Sequence, residues 1–568
     1  MKRTSKIIVC CLLVLVLIIG CFSLVACNKK EGSGKKKAIV MVTALMSGGL
    51  YDKSTNQAVW DPLYFDFDKE GQEDLTLVKF LQLLYETDDM MNSQLFSDLV
   101  SEVMATDVSM VKDRDGETYG SFMEYAMDAM LAPMTDFPTD LSDKDAVAAY
   151  KESYGSLFAS LLYNLQQDED GNSLNTNIVP ANGYTGPHKH IAYGVMGCYE
   201  DQIRTLSKEY PDYDVVLFNY DWRMDGQYNV DLFTKWMDEK NYDEIVLTTH
   251  SLGGQICNRW LASDVKHRRM TKAFVMYAPA TLGTPAALCF LNNIWDLLDP
   301  FPVSKDMTTG DPTLDALLPS VLNAVEPILN GQGMSFLHNC SSIIQLLPSW
   351  AMVNKYHEED NKWIFRDVDG NDITTEDELF NFYYAHTWAW KTNEDGDYIF
   401  SDGSAMDAAD VTEFSHPSAW TGSGKKPALK RIVAGLRDWQ HSLYVKNGDK
   451  ETLAADYVNS YYLIGDISKN NGNTVLTYDE SANVDFHYNW DDTGSAPNKY
   501  TMGKGDDMVV EYCALGAKTE EEITAMYGEG HVVRYDHDHN IVGADFSGVV
   551  MSEGTGVKVK EIIKSIGW

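Results

Sequence analysis

A short motif between an apolar run and a helix-like stretch constrains this chain more than any other feature. The motif, Thr-His-Ser-Leu-Gly-Gly, occupies 249–254. The apolar run before it, 244–249, predicts a buried strand, and the stretch after it, 255–262, predicts a helix. A small residue at Gly253 lets strand and helix cross closely while Ser251 stands at the tight turn between them. Such a serine is placed for nucleophilic chemistry, with helix N-terminal amides nearby for a developing oxyanion.

The alternation of strand and helix continues along the chain. Predicted helices lie at 194–208, 230–239, 255–262, 429–445 and 557–566, and predicted strands at 37–43, 213–218, 244–249, 273–277, 460–465, 474–478 and 531–535. Strands separated by helices of this length indicate a parallel sheet with right-handed crossovers. A serine at a strand-to-helix turn of such a sheet is typical of the nucleophile elbow of an α/β-hydrolase, so we predict that α/β core. Thr249 stands where the elbow usually has glycine, which leaves an ordinary loop as the alternative.

The length of 568 residues exceeds that of a minimal hydrolase core. We therefore expect one hydrolase domain over 38–568 with two large, partly helical insertions. The first, 52–190, is predicted to be helical because its apolar residues recur at helical spacing. The second, 289–426, follows a core strand, where it could form a cap or lid. It contains two hairpin-like turns, one near Asp369-Gly370 and one near Asp395-Gly396.

The N-terminus resembles a targeting segment. Basic residues precede a nearly continuous apolar run at 7–21, and the run Leu-Val-Ala-Cys ends at Cys27. This pattern predicts a lipoprotein signal peptide over 1–26, a lipid-modified Cys27, and a flexible tether over 27–37. A plain transmembrane anchor is the alternative. Either arrangement places the protein on a bacterial cell membrane, at its extracytoplasmic face.

Composition argues against several other classes of protein. The formal net charge is -38, which disfavours nucleic acid as a partner. Beyond Cys27 the cysteines are scattered and odd in number, so no disulfide framework is predicted, although a single bridge would be compatible with them. They also lack metal-ligand spacing. The acidic segment 367–372 has its glycine misplaced for an EF-hand loop and reads better as a turn. We expect no metal and no cofactor.

A serine nucleophile needs a base and a carboxylate that orients it. In an α/β-hydrolase these follow the serine in the order acid, then histidine, each on a loop after a later strand. The loop at 503–510 offers Asp506, with Asp507 as the second choice. The loop after the last predicted strand offers His539, with His537 as the alternative.

The oxyanion hole needs two backbone amides. One is expected from Leu252, directly after the nucleophile. The other is expected from the loop after the first core strand, where Leu45 is the candidate. That loop lacks the usual His-Gly or Pro-Gly pair.

Four motifs together resemble the lecithin:cholesterol acyltransferase and lysosomal phospholipase A2 family of α/β-hydrolases. The chain has Tyr-Asp-Trp-Arg at 220–223 and the serine motif at 250–253. It also has Gly-Asp-Asp-Met-Val at 505–509, with methionine in place of the family's threonine, and a His-x-x-Val segment at 539–542. The resemblance covers roughly 37–50, 190–290 and 430–568 but neither insertion.

The resemblance implies that Ser251, Asp506 and His539 form the family's triad and that Leu45 and Leu252 supply its oxyanion amides. It implies attack on a fatty acyl ester and an acyl-serine intermediate, with a lipid or other acyl ester as substrate. The leading hypothesis is thus a membrane-anchored serine esterase or lipase. Transfer of the acyl group to an alcohol instead of water is equally compatible with the sequence. A catalytically inactive hydrolase fold that binds a lipid or another ligand is the alternative from a different class.

Overall fold

The computed structural model describes a large part of the chain but not all of it. The described residues are 35–60, 164–168, 171–186, 189–292, 334–361, 363–365, 371–386, 391–392, 398–399, 427–448, 450–467, 475–478, 486–489, 499–501, 504–506 and 508–568. The predicted signal peptide, Cys27, nearly all of the tether, the hairpin at Asp369-Gly370, and the greater part of the first insertion lie outside them.

Sixteen strands fall within the described residues. They are β1 Lys37–Val42, β2 Leu50–Asp52, β3 Gln57–Trp60, β4 Ile178–Pro180, β5 Asp214–Phe218, β6 Glu244–His250, β7 Thr271–Tyr277, β8 Lys391–Thr392, β9 Tyr398–Ile399, β10 Tyr444–Asn447, β11 Lys450–Leu453, β12 Ser460–Gly465, β13 Val475–Tyr478, β14 Phe486–Asn489, β15 Lys499–Thr501 and β16 Val532–Tyr535.

Six of these strands form one parallel sheet in the order β16-β12-β7-β6-β1-β5. Its central strands are buried along nearly their whole length, as is expected of a sheet that is covered on both faces. Val42, at the end of β1, lies opposite Phe218 on one side and Thr249 on the other. The neighbouring strands therefore end at the same edge of the sheet.

Helices cover both faces of this sheet. The described helices are α1 Glu200–Glu209, α2 Gly226–Lys240, α3 Gly253–Ser263, α4 Val265–Met270, α5 Ala286–Asn292, α6 Met334–Asn339, α7 Ser341–Gln345, α8 Trp350–Asp360, α9 Glu376–His386, α10 Pro427–Ser442, α11 Glu511–Ala514, α12 Glu520–Tyr527, α13 His539–Ala544 and α14 Thr555–Ser565. On one face α2 and α3 bury Phe233 and Trp260 in the larger core cluster. On the other, α1 and α14 bury Leu206 and Ile562 in a second cluster. The predicted α/β architecture is confirmed.

One predicted core strand belongs to a different sheet. The segment predicted at 474–478 is a strand, but β13 pairs antiparallel with β14 and β15 in a small separate sheet. It has no place in the main sheet beside β12, because β7 and β16 already occupy both edges of β12. The alternation of side chains predicts a strand and carries no information about its partner.

The described ends of the first insertion are strands, although the sequence predicted helices. The strands β2, β3 and β4 form a three-stranded antiparallel sheet where the chain leaves the core and returns to it. The helical prediction for most of 52–190 lies outside the described residues.

The described part of the second insertion packs against the core. Its helices α7 and α9 contribute fully buried Ile343, Leu379 and Tyr383 to the larger core cluster. The hairpin predicted around Asp395-Gly396 is confirmed, since β8 and β9 pair antiparallel on either side of that turn. Within the described chain, no helix combines the length and apolar character needed to cross a bilayer.

Candidate active site

Ser251 stands at the turn between β6 and α3, with φ of 53° in the left-handed region. A Cβ at position 253 would lie 2.3 Å from Thr249 Oγ1 and 2.5 Å from the Thr43 carbonyl oxygen. Glycine is therefore required there, because the end of β1 passes directly under the turn. Thr249, the departure from the usual motif, donates its hydroxyl to the Val42 carbonyl at 3.4 Å. The bulkier residue thus fits by bonding the neighbouring strand.

Backbone strain is concentrated at this edge of the sheet. Seven non-glycine residues in the described part of the chain have positive φ. Three of them, Met46, Ser251 and Ala278, follow the adjacent strands β1, β6 and β7. Strained backbone at one location is typical of functional sites, where the surrounding structure over-determines the conformation.

The two amides predicted for the oxyanion hole are both available. Among the described residues, neither the Leu45 amide nor the Leu252 amide has a hydrogen-bond partner. Leu252 directly precedes α3, so its N–H belongs to the positive end of that helix. The amide before Leu45 is occupied, because Ala44 N–H donates to the Tyr199 hydroxyl at 3.2 Å.

The loop that carries Asp506 folds back on itself, held by a bridge between Gly505 and Val510. Asp506 is buried, and its Oδ1 accepts from the amides of Val509 at 2.7 Å and Met508 at 3.2 Å. The loop presses against the end of β12, where a Cβ on Gly465 would lie 2.5 Å from Asp506 Cβ. The other carboxylate oxygen, Oδ2, therefore points toward the segment after β16, which carries His539.

His539 occupies that next loop, at the first position of α13. Its Nδ1 lies 2.9 Å from Asp506 Oδ2, and its backbone N–H donates to the Asp506 carbonyl at 2.9 Å. An ionised carboxylate can only accept, so the imidazole proton sits on Nδ1, and Nε2 keeps the lone pair that a general base needs. Asp538 caps the helix by accepting from two backbone amides. The sequence placed His539 in a loop, but the cap makes it the start of a helix.

The elbow and the Asp506–His539 pair meet through His250. The His539 ring lies against the ring of His250, the neighbour of Ser251, with centroids 4.9 Å apart. Among the described residues, the Ser251 hydroxyl has no hydrogen-bond partner. Catalytic hydrogen bonds are often long in a ligand-free site and tighten when substrate binds.

Two residues next to the site were not singled out by the sequence reasoning. His250 is buried, and its Nδ1 shares a hydrogen bond of 2.9 Å with the Tyr199 hydroxyl. Burial, followed by the neighbouring His539, lowers the pKa of His250 well below its ordinary value, so the ring stays neutral. His250 is visible in the serine motif, but nothing in the sequence around Tyr199 indicates that it reaches the site.

The Tyr-Asp-Trp-Arg segment is wholly buried beside β5. Arg223 donates from Nε and Nη2 to both carboxylate oxygens of Asp221, at 2.8 and 2.7 Å, and from Nη1 to the Asn164 carbonyl at 2.6 Å. These groups satisfy one another, which supports a structural role for the charged pair. Trp222 packs against Trp60 with ring centroids 5.2 Å apart.

The sequence also offered Asp507 and His537 as alternates for the acid and the base. The Asp506 carboxylate contacts His539, while the backbone carbonyl of His537 lies at Gly465 beside the end of β12. Asp507 lies outside the described residues.

Of the cysteines beyond Cys27, the four whose side chains are described are all free. Within the described residues, no group of three or more His, Cys, Asp or Glu side chains could hold a metal ion.

The strand order of the sheet, and the order of Ser251, Asp506 and His539 along the chain, are those of an α/β-hydrolase core. No protein-family model and no curated protein matches the chain. One similar solved structure is the Tle4-Tli4 complex, at 10% identity and a TM-score of 0.39, covering 94% of this chain and 100% of that chain. Another is phospholipase PlaB from Legionella pneumophila, at 12% identity and a TM-score of 0.15, covering 50% of this chain and 71% of that chain. Both similarities are distant, so the assignment of the core rests on its own topology.

Proposed function

We propose that this protein is a serine esterase or lipase that cleaves lipid-like acyl esters through an acyl-serine intermediate. The observation that carries the proposal is the arrangement at one sheet edge. Ser251 stands in a strained elbow after β6. The Asp506–His539 hydrogen bond of 2.9 Å forms at the same edge, with Asp506 packed at the end of β12 and His539 in the segment after β16. This is the chain order of nucleophile, acid and base that nucleophilic acyl transfer uses on such a core.

In the proposed reaction, Ser251 Oγ attacks the ester carbonyl carbon while His539 Nε2 takes the hydroxyl proton. The carbonyl oxygen becomes an oxyanion that the amides of Leu45 and Leu252 stabilise. Collapse of this intermediate breaks the ester bond, and the leaving alcohol receives the proton from His539. Water, or an acceptor alcohol, then attacks the acyl-serine by the same route and restores the free serine.

The surroundings of the oxyanion loop favour an apolar acyl group. Trp60 donates its indole N–H to the Met46 carbonyl at 2.6 Å, and its ring packs on Trp222. Phe336 of α6 extends this aromatic wall, with its ring centroid 6.0 Å from that of Trp222. Aromatic side chains beside the loop that carries the Leu45 amide are suited to bind an acyl chain rather than a charged group.

Labelling with a fluorophosphonate serine probe tests the proposal. Wild type is expected to label and Ser251→Ala is expected not to. Ser263→Ala is a matched control, since Ser263 lies at the end of α3 and its hydroxyl donates to the Trp260 carbonyl. If wild type and Ser251→Ala label equally, the enzymatic proposal is wrong and a ligand-binding role without turnover is favoured. A chain-length series of aryl esters then defines acyl preference, and product analysis with and without an alcohol separates hydrolysis from transfer.

We also propose that Cys27 carries a lipid that anchors the protein at the extracytoplasmic face of the membrane. The support is the basic start, the apolar run and the small residue Ala26 before Cys27. Cys27→Ser is expected to keep its signal peptide and to carry no bound fatty acid, measured by fatty-acid labelling. Cys21→Ser, within the apolar run, is the control and should keep the label. Full lipid labelling of Cys27→Ser would contradict the assignment.

A further inference from the structure

One hydroxyl group contacts both halves of the candidate site. Tyr199 is buried at the N-cap of α1. Its oxygen accepts from the Ala44 amide at 3.2 Å and shares a hydrogen bond of 2.9 Å with His250 Nδ1. Ala44 precedes Leu45, the candidate oxyanion donor, while His250 precedes Ser251. The same oxygen therefore fixes the loop after β1 and the residue before the nucleophile.

The His250 ring is in turn the surface on which α13 packs. A Cβ on Gly543 would lie 2.1 to 2.4 Å from three atoms of that ring, so the helix sits directly on it. His539, at the start of the same helix, places its own ring 4.9 Å from that of His250 at an interplanar angle of 36°. A shift of the His250 ring would consequently move His539 relative to Ser251.

We infer that Tyr199 and His250 are positioning residues that hold the Leu45 amide and the His539 ring in register around Ser251. The inference rests on the proposed function, since it concerns how that site is assembled. Tyr199 occupies the Ala44 amide, so the next N–H along the loop, that of Leu45, remains for substrate. A neutral His250 ring also lets His539 become charged during the reaction without a second charge beside it.

The first test is Tyr199→Phe, which removes only the shared oxygen. The expected result is a fall in kcat of about 10- to 100-fold, with KM changed less than about 2-fold, because substrate binding survives while transition-state alignment is lost. Tyr277→Phe is the matched control. Tyr277 is also fully buried, and its hydroxyl accepts a hydrogen bond from Gln202 at 3.1 Å. Its unfolding midpoint should match that of Tyr199→Phe while its kcat stays at the wild-type value.

The second test compares His250→Asn with His250→Leu. Asparagine keeps a hydrogen-bonding group near the position of Nδ1, whereas leucine has similar bulk and none. His250→Asn should retain clearly more kcat than His250→Leu, and this difference should vanish when both are combined with Tyr199→Phe. If Tyr199→Phe fails to fold, the two His250 variants are compared in the wild-type background alone, and equal kcat values there would overturn the positioning role.

The outcomes separate the two proposals. If wild type does not react with the serine probe, the proposed function fails. If wild type reacts and Tyr199→Phe keeps the kcat of Tyr277→Phe, only the positioning role fails. Equal kcat values for the two His250 variants in the Tyr199→Phe background, together with unequal values in the wild-type background, support the role. Independent, multiplicative effects overturn it.

Discussion

At the scale of single residues, Ser251 shows how local strain is maintained. A non-glycine residue in the left-handed region costs about 1 to 3 kcal/mol. The Ser251 carbonyl accepts from the amides of Gly254 at 2.8 Å and Ala280 at 3.2 Å, and these bonds hold the turn from both sides. These backbone hydrogen bonds, and not contacts of the Ser251 side chain, hold the hydroxyl at the sheet edge.

The sequence offers two adjacent candidates for the catalytic acid, Asp506 and Asp507. Asp506→Asn removes the negative charge and allows the amide group to hold His539 in the wrong tautomer. The expected result is a fall in kcat of about 10³- to 10⁴-fold with folding intact, measured by ester hydrolysis and thermal unfolding. Asp507→Asn is the matched control and should keep wild-type activity. The reverse pattern would reassign the acid to Asp507.

At the scale of elements, the junction of β6 with α3 depends on a close crossing with the end of β1. Gly253 and Gly254 are adjacent in α3 but have different surroundings. At position 253 an added Cβ meets Thr249 Oγ1 and the Thr43 carbonyl at 2.5 Å or less, whereas at 254 the nearest atom is Pro279 Cβ at 3.4 Å. The motif indicates that small residues are needed after the serine. The structure shows that, of the two glycines, Gly253 is the one whose position has no room for a Cβ.

Substitution of each glycine by alanine tests this difference. Gly253→Ala is expected to lower the free energy of unfolding by at least about 2 kcal/mol and to reduce probe labelling, because the contact is with backbone that cannot move away. Gly254→Ala is expected to be neutral or to stabilise by up to about 1 kcal/mol, as alanine is a better helix former. Chemical denaturation measures both. Equal tolerance of the two variants would show that the crossing is not tight.

Elements also show what a pattern leaves open. Short alternating runs correctly predict that β12 and β13 are strands, yet β12 lies in the parallel core and β13 in a small antiparallel sheet. The start of α13 is a second place where the sequence pattern left the local structure open. Asp538 was expected in a loop, but its carboxylate caps two amides and turns the following residues, including His539, into a helix.

At the scale of the whole molecule, described parts of the two insertions meet next to the Asp221–Arg223 pair. The Asn164 carbonyl, on the chain returning from the first insertion, accepts from Arg223 at 2.6 Å. Gln167, three residues later, accepts at its carbonyl from Asn339 of α6 at 3.2 Å. The buried Asp221–Arg223 pair therefore joins the sheet edge to the first insertion, which in turn contacts the second.

Removal of one partner of that pair measures its contribution. Arg223→Met leaves the Asp221 carboxylate buried without its cation, and the expected loss in the free energy of unfolding is about 3 to 5 kcal/mol. Arg204→Met is the control, because Arg204 pairs with Glu200 on an exposed turn of α1 and its loss should cost at most about 0.5 kcal/mol. Urea denaturation gives both values. A similar small loss in the two variants would mean that the buried pair contributes little.

The sequence by itself determined the α/β core, the serine at its elbow, and the short set of acids and histidines that could serve it. These follow from local patterns: apolar periodicity, small residues at a turn, and the order of motifs along successive strands. Only the tertiary structure decided that Asp506 contacts His539, that Leu45 and Leu252 keep free amides, and that Tyr199 reaches His250. The physical reason is that those contacts join residues from separate strand ends, and their distances depend on how the sheet stacks and where each helix packs.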